Sequence, residues 1–162
     1  MGTDFEAKVI TARESLVHYF GTGCKVLAHR EGPTALFAIE TPLARYDDQN
    51  VIVFVARHDK GFFIHDGGKT TNYLSDYGID LLSTAVTQSK FREFFEDLSM
   101  RHGITLSRRP RRLEILMEDI DGERILVFVE CVIALSFLVM LKQTGISPLS
   151  VRTHMNLESL RH

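Results

Sequence analysis

The sequence predicts an α+β domain, with a mostly antiparallel sheet of about five strands, helices packed on one face, and a long buried apolar C-terminal helix. Two observations lead to this fold class. Short β-branched and aromatic runs alternate with turn residues in the first half of the chain, which is typical of hairpin-connected strands. The 17 residues of 125–141 are nearly all apolar, which indicates a buried helix. With 162 residues, the chain is long enough to bury a sizeable core.

The first helix is predicted over 4–20, where apolar residues recur at helical spacing until Gly21 ends the run. Strands are predicted where β-branched and apolar runs lie between turn residues. We expect Pro42 to close the second strand, because proline cannot donate to a ladder. The five predicted strands cover 24–30, 34–40, 51–57, 62–65 and 111–119.

Two further helices are predicted between the fourth and fifth strands. The first follows Gly68 and stops at Gly78. The second covers 89–102, where charged residues occupy one side and an apolar stripe the other, as in a helix that packs on a core. The stripe consists of Phe91, Phe94, Phe95 and Leu98.

The apolar segment 125–141 is just long enough to cross a membrane, but its charges indicate the core helix of a domain. Glu130 lies inside it, and a carboxylate in mid-bilayer costs about 3 kcal/mol. Asp121 can cap the start, Lys142 suits the last turn, and Gly145 provides a left-handed stop. We therefore expect a buried helix and no membrane partner.

Residues 1–145 are expected to form a single domain, followed by a partly loose tail over 146–162. Cys24 and Cys131 lack metal-ligand spacing and fall in apolar surroundings, which favours free thiols in a reducing cytoplasm. The N-terminus shows no apolar run, so the sequence predicts a cytoplasmic protein. A net charge of −2 excludes nucleic-acid binding driven by the charge of the whole molecule.

The stretch FFIHDGGKTTNYLSDYGI is followed by a charged aromatic helix, the sequence HGITL, a strand and an apolar helix. Over about residues 30–142 this order resembles an uncharacterised prokaryotic and phage family, catalogued as domain of unknown function 1828. The chain departs from the family pattern at His65, where an acid is expected, and at the additional Gly68 and Lys69. The resemblance implies a bacterial or phage setting but no established activity. The corresponding residues are His65, Asp66, Gly67, Thr70, Leu74, Ser75, Asp76 and Gly78.

The corner after the fourth strand is interpreted as a structural turn formed by Asp66, Gly67, Gly68 and Thr70. Asp66 can accept backbone N–H bonds, the glycines supply positive φ, and Thr70 or Thr71 caps the next helix. The sequence DGGKTT is also similar to the end of a phosphate-binding loop, and amides at a helix start favour anions. The upstream glycine and the full loop length are missing, which disfavours that alternative.

A catalytic alternative for the corner is a divergent Mg²⁺-dependent nuclease of the restriction-endonuclease-like type, in which acids hold the metal beside a lysine. That family has an acid, one residue and a lysine on a strand, whereas two glycines separate Asp66 from Lys69 here. The histidines and cysteines also lack metal-ligand spacing, so no metal and no cofactor is predicted. Whether the chain is an enzyme stays open, with a non-enzymatic role favoured. The residues that would form the nuclease site are Glu40, Asp48, Asp66 and Lys69.

The sequence SRRPRR, residues 107–112, is the main charge cluster of the chain. Guanidinium groups bind carboxylates, phosphates or an acidic protein surface, and the negative net charge favours a protein partner over nucleic acid. The resemblance implies a bacterial or phage setting, and together with the weak signals for catalysis it leads to the predicted function, a small interaction domain that inhibits or regulates another protein in phage–host conflict. A nucleic-acid-binding regulator is the alternative use of the cluster. The predicted partner-binding residues are Arg108, Arg109, Arg111 and Arg112.

Overall fold

The structure is a computed structural model that describes residues 2–30 and 36–145, so the predicted tail lies outside the described residues. The helices are α1 Gly2–Phe20, α2 Lys69–Asp76, α3 Ser89–His102, α4 Gly122–Ser136 and α5 Leu138–Thr144. The strands are β1 Lys25–Arg30, β2 Leu36–Ala44, β3 Asn50–His58, β4 Gly61–His65, β5 Thr105–Arg108 and β6 Arg111–Met117.

The six strands form one antiparallel sheet in the order β1-β2-β3-β4-β6-β5, which confirms the α+β fold class. The structure has one strand, β5, that the sequence did not predict. This strand was missed because it has only four residues and shows no clear alternation of buried and exposed side chains. It follows Gly103, whose φ of +71° ends α3. The strand is defined by its pairing with β6, which a local pattern does not reveal.

The prediction that Pro42 closes the second strand is wrong. β2 continues to Ala44, and its pairing with β3 shifts register between Glu40 and Ala44. Pro42 therefore lies in the irregular stretch of the ladder, where a missing N–H donor is tolerated. The strand turns into β3 through Arg45–Asn50, with Asp48 in the left-handed region at φ 60°.

One face of the sheet carries the core. Alternate side chains of β3, β4 and β6 are buried there against the helices, as the period of two requires for a half-buried sheet. On the opposite face Ile52, Phe54 and Phe63 are half-buried and Leu116 is exposed. The large apolar strand residues buried on the core face are Phe37, Ile39, Val51, Val53, Val55, Phe62, Ile64, Leu113, Ile115 and Met117.

The long apolar C-terminal helix is buried as predicted, although it divides at Phe137 into α4 and α5. Asp121 Oδ1 accepts a bond from Glu123 N at 3.0 Å, and Gly145 has φ +71°, so both expected caps are formed. By length and composition, Gly122–Thr144 could cross a membrane, and more than half of its most apolar stretch is buried inside the fold. Core burial is a sufficient physical reason for its hydrophobicity.

The aromatic stripe of α3 provides a stability prediction. Phe95 is 8% exposed and packs in the core, so Phe95→Ala should lower the free energy of unfolding by about 3 kcal/mol. Met100 lies on the same helix and is 82% exposed, so Met100→Ala should change stability by less than about 0.5 kcal/mol. Urea denaturation of both variants measures the difference. Equal stabilities would show that the stripe is not a core element.

Candidate functional site

The corner after β4 is organised around the carboxylate of Asp66, which is 2% exposed. Its Oδ1 accepts hydrogen bonds from Gly68 N at 2.9 Å and Leu113 N at 3.1 Å, and its Oδ2 accepts one from Thr70 N at 3.0 Å. The backbone N–H of Asp66 also donates to Leu113 O at 3.3 Å. One side chain therefore caps the start of α2 and continues the pairing of β4 with β6.

The two glycines of the corner have different neighbours. Gly67 and Gly68 both lie in the left-handed region, with φ +68° and +79°. A Cβ on Gly67 would lie 2.8 Å from the ring of Phe54, whereas a Cβ on Gly68 would lie 2.7 Å from the carbonyl oxygen of Arg111. The backbone of β6 therefore passes so close to Gly68 that only glycine fits.

The expectation that Thr70 or Thr71 caps α2 is wrong, since Asp66 accepts the N–H bonds. The hydroxyl of Thr71 instead lies 2.9 Å from Gly68 O and 3.1 Å from Arg111 O, and the two oxygens share its one proton, which connects the helix to β6. The hydroxyl of Thr70 is buried and has no hydrogen-bond partner among the described residues.

The two threonines provide a matched test of the corner. Thr70→Val replaces an unsatisfied hydroxyl by a methyl group of similar size, so it should leave stability unchanged or raise it by up to about 1 kcal/mol. Thr71→Val removes the hydroxyl proton that two carbonyl oxygens share and should cost about 1 kcal/mol. Chemical denaturation of both variants measures the order. A larger loss for Thr70→Val would show that its hydroxyl has a bound partner in solution.

The corner offers little room for the phosphate or metal chemistry considered from the sequence. Asp66 already holds the amides at the start of α2 to which a phosphate would bind, and its negative charge repels an anion. Glu40 accepts a bond from Asn50, Asp48 lies in the β2–β3 turn, and Lys69 is exposed. Within residues 2–30 and 36–145, no group of three or more His, Cys, Asp or Glu side chains could hold a metal ion. The four residues of the nuclease alternative are thus not brought together.

His65 lies beside the corner and is neutral at physiological pH. Burial lowers its pKa to about 4, with a further contribution from the Arg112 guanidinium and an opposing one from Asp66. Its ring stacks on Phe54 with centroids 5.1 Å apart, and its Nδ1 accepts a bond from Gly67 N at 3.0 Å. The neutral ring thus carries its proton on Nε2. His65 therefore contributes packing and a turn hydrogen bond and no positive charge.

The four predicted partner-binding arginines lie on the β5–β6 hairpin, called here the arginine hairpin (residues 107–112). Arg111 Nη1 lies 3.5 Å from Asp80 Oδ2, and Arg112 Nε lies 3.0 Å from Glu114 Oε2. Arg108 and Arg109 are exposed, and no acidic side chain of the described residues pairs with them. The tip of the hairpin therefore presents two uncompensated guanidinium groups to solvent.

Sequence reasoning did not anticipate a small cleft at the base of the arginine hairpin. Apolar side chains of α2, the segment after it and β5 line the cleft, together with Asp80 and Arg111. The ion pair between these two residues bridges 31 positions of sequence, so no local signal could reveal it. The cleft is lined in part by Leu74, Leu82 and Leu106.

The arginines should matter little for folding. Arg108 and Arg109 have no acidic partner among the described residues, Arg111 is exposed, and the Arg112–Glu114 pair is only partly buried. Replacing all four arginines by serine should therefore change the free energy of unfolding by less than about 1 kcal/mol. Thermal and urea denaturation measure this change. A loss of several kcal/mol would show that the cluster is part of the fold.

Comparison of the chain with protein-family models, with curated proteins and with solved structures finds no match.

Proposed function

We propose that this protein is a small protein-binding domain that inhibits or regulates its partner by occupying it, and that it binds through the arginine hairpin. The bacterial or phage setting implied by the sequence resemblance leads us to place this activity in phage–host conflict, with a defence enzyme as the type of partner. The partner surface is acidic, because it must complement exposed guanidinium groups.

One observation carries the proposal: Arg108 and Arg109 are exposed at the tip of a short hairpin without an acidic neighbour in the described part of the chain. Like charges placed this close repel each other, and the fold gains little from them. An external carboxylate can bind a guanidinium group through two parallel hydrogen bonds, which gives both affinity and orientation. Such a cluster is therefore a favourable place for a partner to bind.

The site at the corner does not compete with this proposal. The carboxylate of Asp66 is used by three backbone donors, and His65 is neutral and stacked on Phe54. These contacts support a structural role for the corner residues.

The proposal is tested by affinity purification from cells that naturally express the chain, followed by titration of the recovered protein against the purified domain. The double variant Arg108→Ser/Arg109→Ser should lose the partner. Arg101→Ser is the matched control, since Arg101 is also exposed, lies on α3, and forms an ion pair with Asp97 of its own helix. The control should retain the partner with unchanged affinity. Equal binding of the partner by the parent, the double variant and the control would overturn the proposal. Recovery of nucleic acid in place of a protein partner, lost in the double variant, would also overturn it.

A further inference from the structure

The arginine hairpin ends at an open edge of the sheet. β5 is the last strand in the order, and no described residue pairs with its outer side. An edge strand presents unpaired backbone donors and acceptors, which another extended chain can use. The β5 edge therefore combines backbone hydrogen-bonding groups with the exposed arginines at one end.

The pairing pattern identifies the residue that points to this edge. The backbone N–H and C=O of Leu113 are both directed to Asp66, on the side of β4. In an antiparallel ladder the two groups of one residue point to the same side, so Leu113 does not bond to its opposite residue, Leu106. The backbone groups of Leu106 are therefore directed to the open edge.

The surroundings of Leu106 specify the chemistry of a ligand. Its side chain is half-buried and lines the small cleft beside Leu82 and the Asp80–Arg111 pair. Further along the same strand, Arg108 begins the exposed basic tip. A chain lying along β5 would thus meet an apolar position beside Leu106 and positive charge toward the hairpin tip.

We propose that the partner binds by adding an extended acidic segment as a further strand on β5, with its backbone paired to Leu106 and its carboxylates directed to the arginine hairpin. This inference rests on the proposed function and names the binding mode at the same site. Backbone pairing supplies part of the affinity, and charge complementarity selects an acidic segment over a basic or neutral one.

The proposal is tested with a fluorescent peptide of alternating glutamate and valine, whose binding to the full chain is followed by anisotropy. A second peptide has the same side chains but is N-methylated at every residue, so it keeps its charge and cannot donate backbone hydrogen bonds. The unmodified peptide should bind at least about tenfold more tightly than the methylated one. An alternating lysine–valine peptide should not bind.

A pair of protein variants tests the same contact from the other side. Leu106→Pro removes an N–H that the ladder does not use, and Leu106→Ala removes the same side-chain packing while keeping the N–H. The alanine variant should bind the acidic peptide more tightly than the proline variant, again by about tenfold. If Leu106→Pro does not fold, the methylated peptide alone decides.

The outcomes separate this inference from the proposed function. Equal binding of the methylated and unmodified peptides, still lost in Arg108→Ser/Arg109→Ser, would overturn strand addition and leave recognition of acidic surfaces intact. If neither the unmodified nor the methylated acidic peptide binds, while Arg108→Ser/Arg109→Ser still fails to bind the natural partner, strand addition alone is overturned. A single-stranded oligonucleotide that binds more tightly than the acidic peptide would overturn both and assign the arginines to nucleic acid.

Discussion

Asp66→Ala is expected to lower the free energy of unfolding by about 4–6 kcal/mol, enough to leave a marginally stable domain largely unfolded. The substitution leaves three buried backbone donors, at Gly68, Thr70 and Leu113, without their acceptor. Each unsatisfied donor costs about 1–3 kcal/mol, and all three of these hydrogen bonds are buried. Circular dichroism during urea denaturation measures the loss.

Asp66→Asn is the informative companion. Its single amide oxygen can take the place of Oδ1 and keep two of the three acceptor contacts, so the loss should be roughly half that of alanine. If Asp66 held a metal ion, Asp66→Asn would instead abolish activity with little loss of stability, because the charge of the carboxylate binds the metal. An Asp66→Asn protein that melts like the parent but has lost its activity would contradict the structural interpretation.

Gly68→Ala is expected to destabilise by about 4 kcal/mol or more, because the added methyl group would lie 2.7 Å from the carbonyl oxygen of Arg111. The oxygen belongs to the backbone of β6, which cannot move aside without disturbing its pairing. Gly21 has a similar φ of +66° and no described atom within 4 Å of an added Cβ, so Gly21→Ala measures the cost of the backbone conformation alone.

The control variant Gly21→Ala should lower the free energy of unfolding by only about 1–2 kcal/mol. The loss of stability in Gly67→Ala should lie between those of Gly21→Ala and Gly68→Ala. The added Cβ meets the ring of Phe54, and a side chain can rotate away more easily than the backbone of β6. Thermal melts of the three variants give the order directly. Equal stabilities of Gly68→Ala and Gly21→Ala would contradict the close approach of Gly68 to the backbone of β6.

The elements that the sequence predicted well are those with a local cause. The apolar pattern of the C-terminal helix, the cap at Asp121 and the stop at Gly145 are all decided within a few residues of one another, and they are formed in the structure. The turn character of the corner is also local, because the turn needs positive φ at two successive positions and Gly67 and Gly68 adopt it readily.

The features that the sequence did not reveal depend on contacts between distant segments. The expectation that Asp66 accepts backbone N–H bonds of the turn is confirmed, but the sequence did not reveal that the same carboxylate also accepts a bond from Leu113 N, 47 positions away. β5 is a strand because β6 pairs with it, and the cleft is lined by residues from α2, the segment after it, β5 and β6. A pattern of residue types along the chain carries no signal for such pairings.

The most direct test of the central claim, that a protein partner binds at the arginine hairpin, is site-specific photo-crosslinking in the cells that naturally express the chain. Pro110→benzoylphenylalanine places the crosslinker at the exposed tip of the hairpin and keeps all four arginines, and Met100→benzoylphenylalanine places it at an exposed site on α3. We expect a discrete protein adduct from position 110 and none from position 100. No adduct from position 110, an adduct from position 100 alone, or an adduct that contains nucleic acid would contradict the claim.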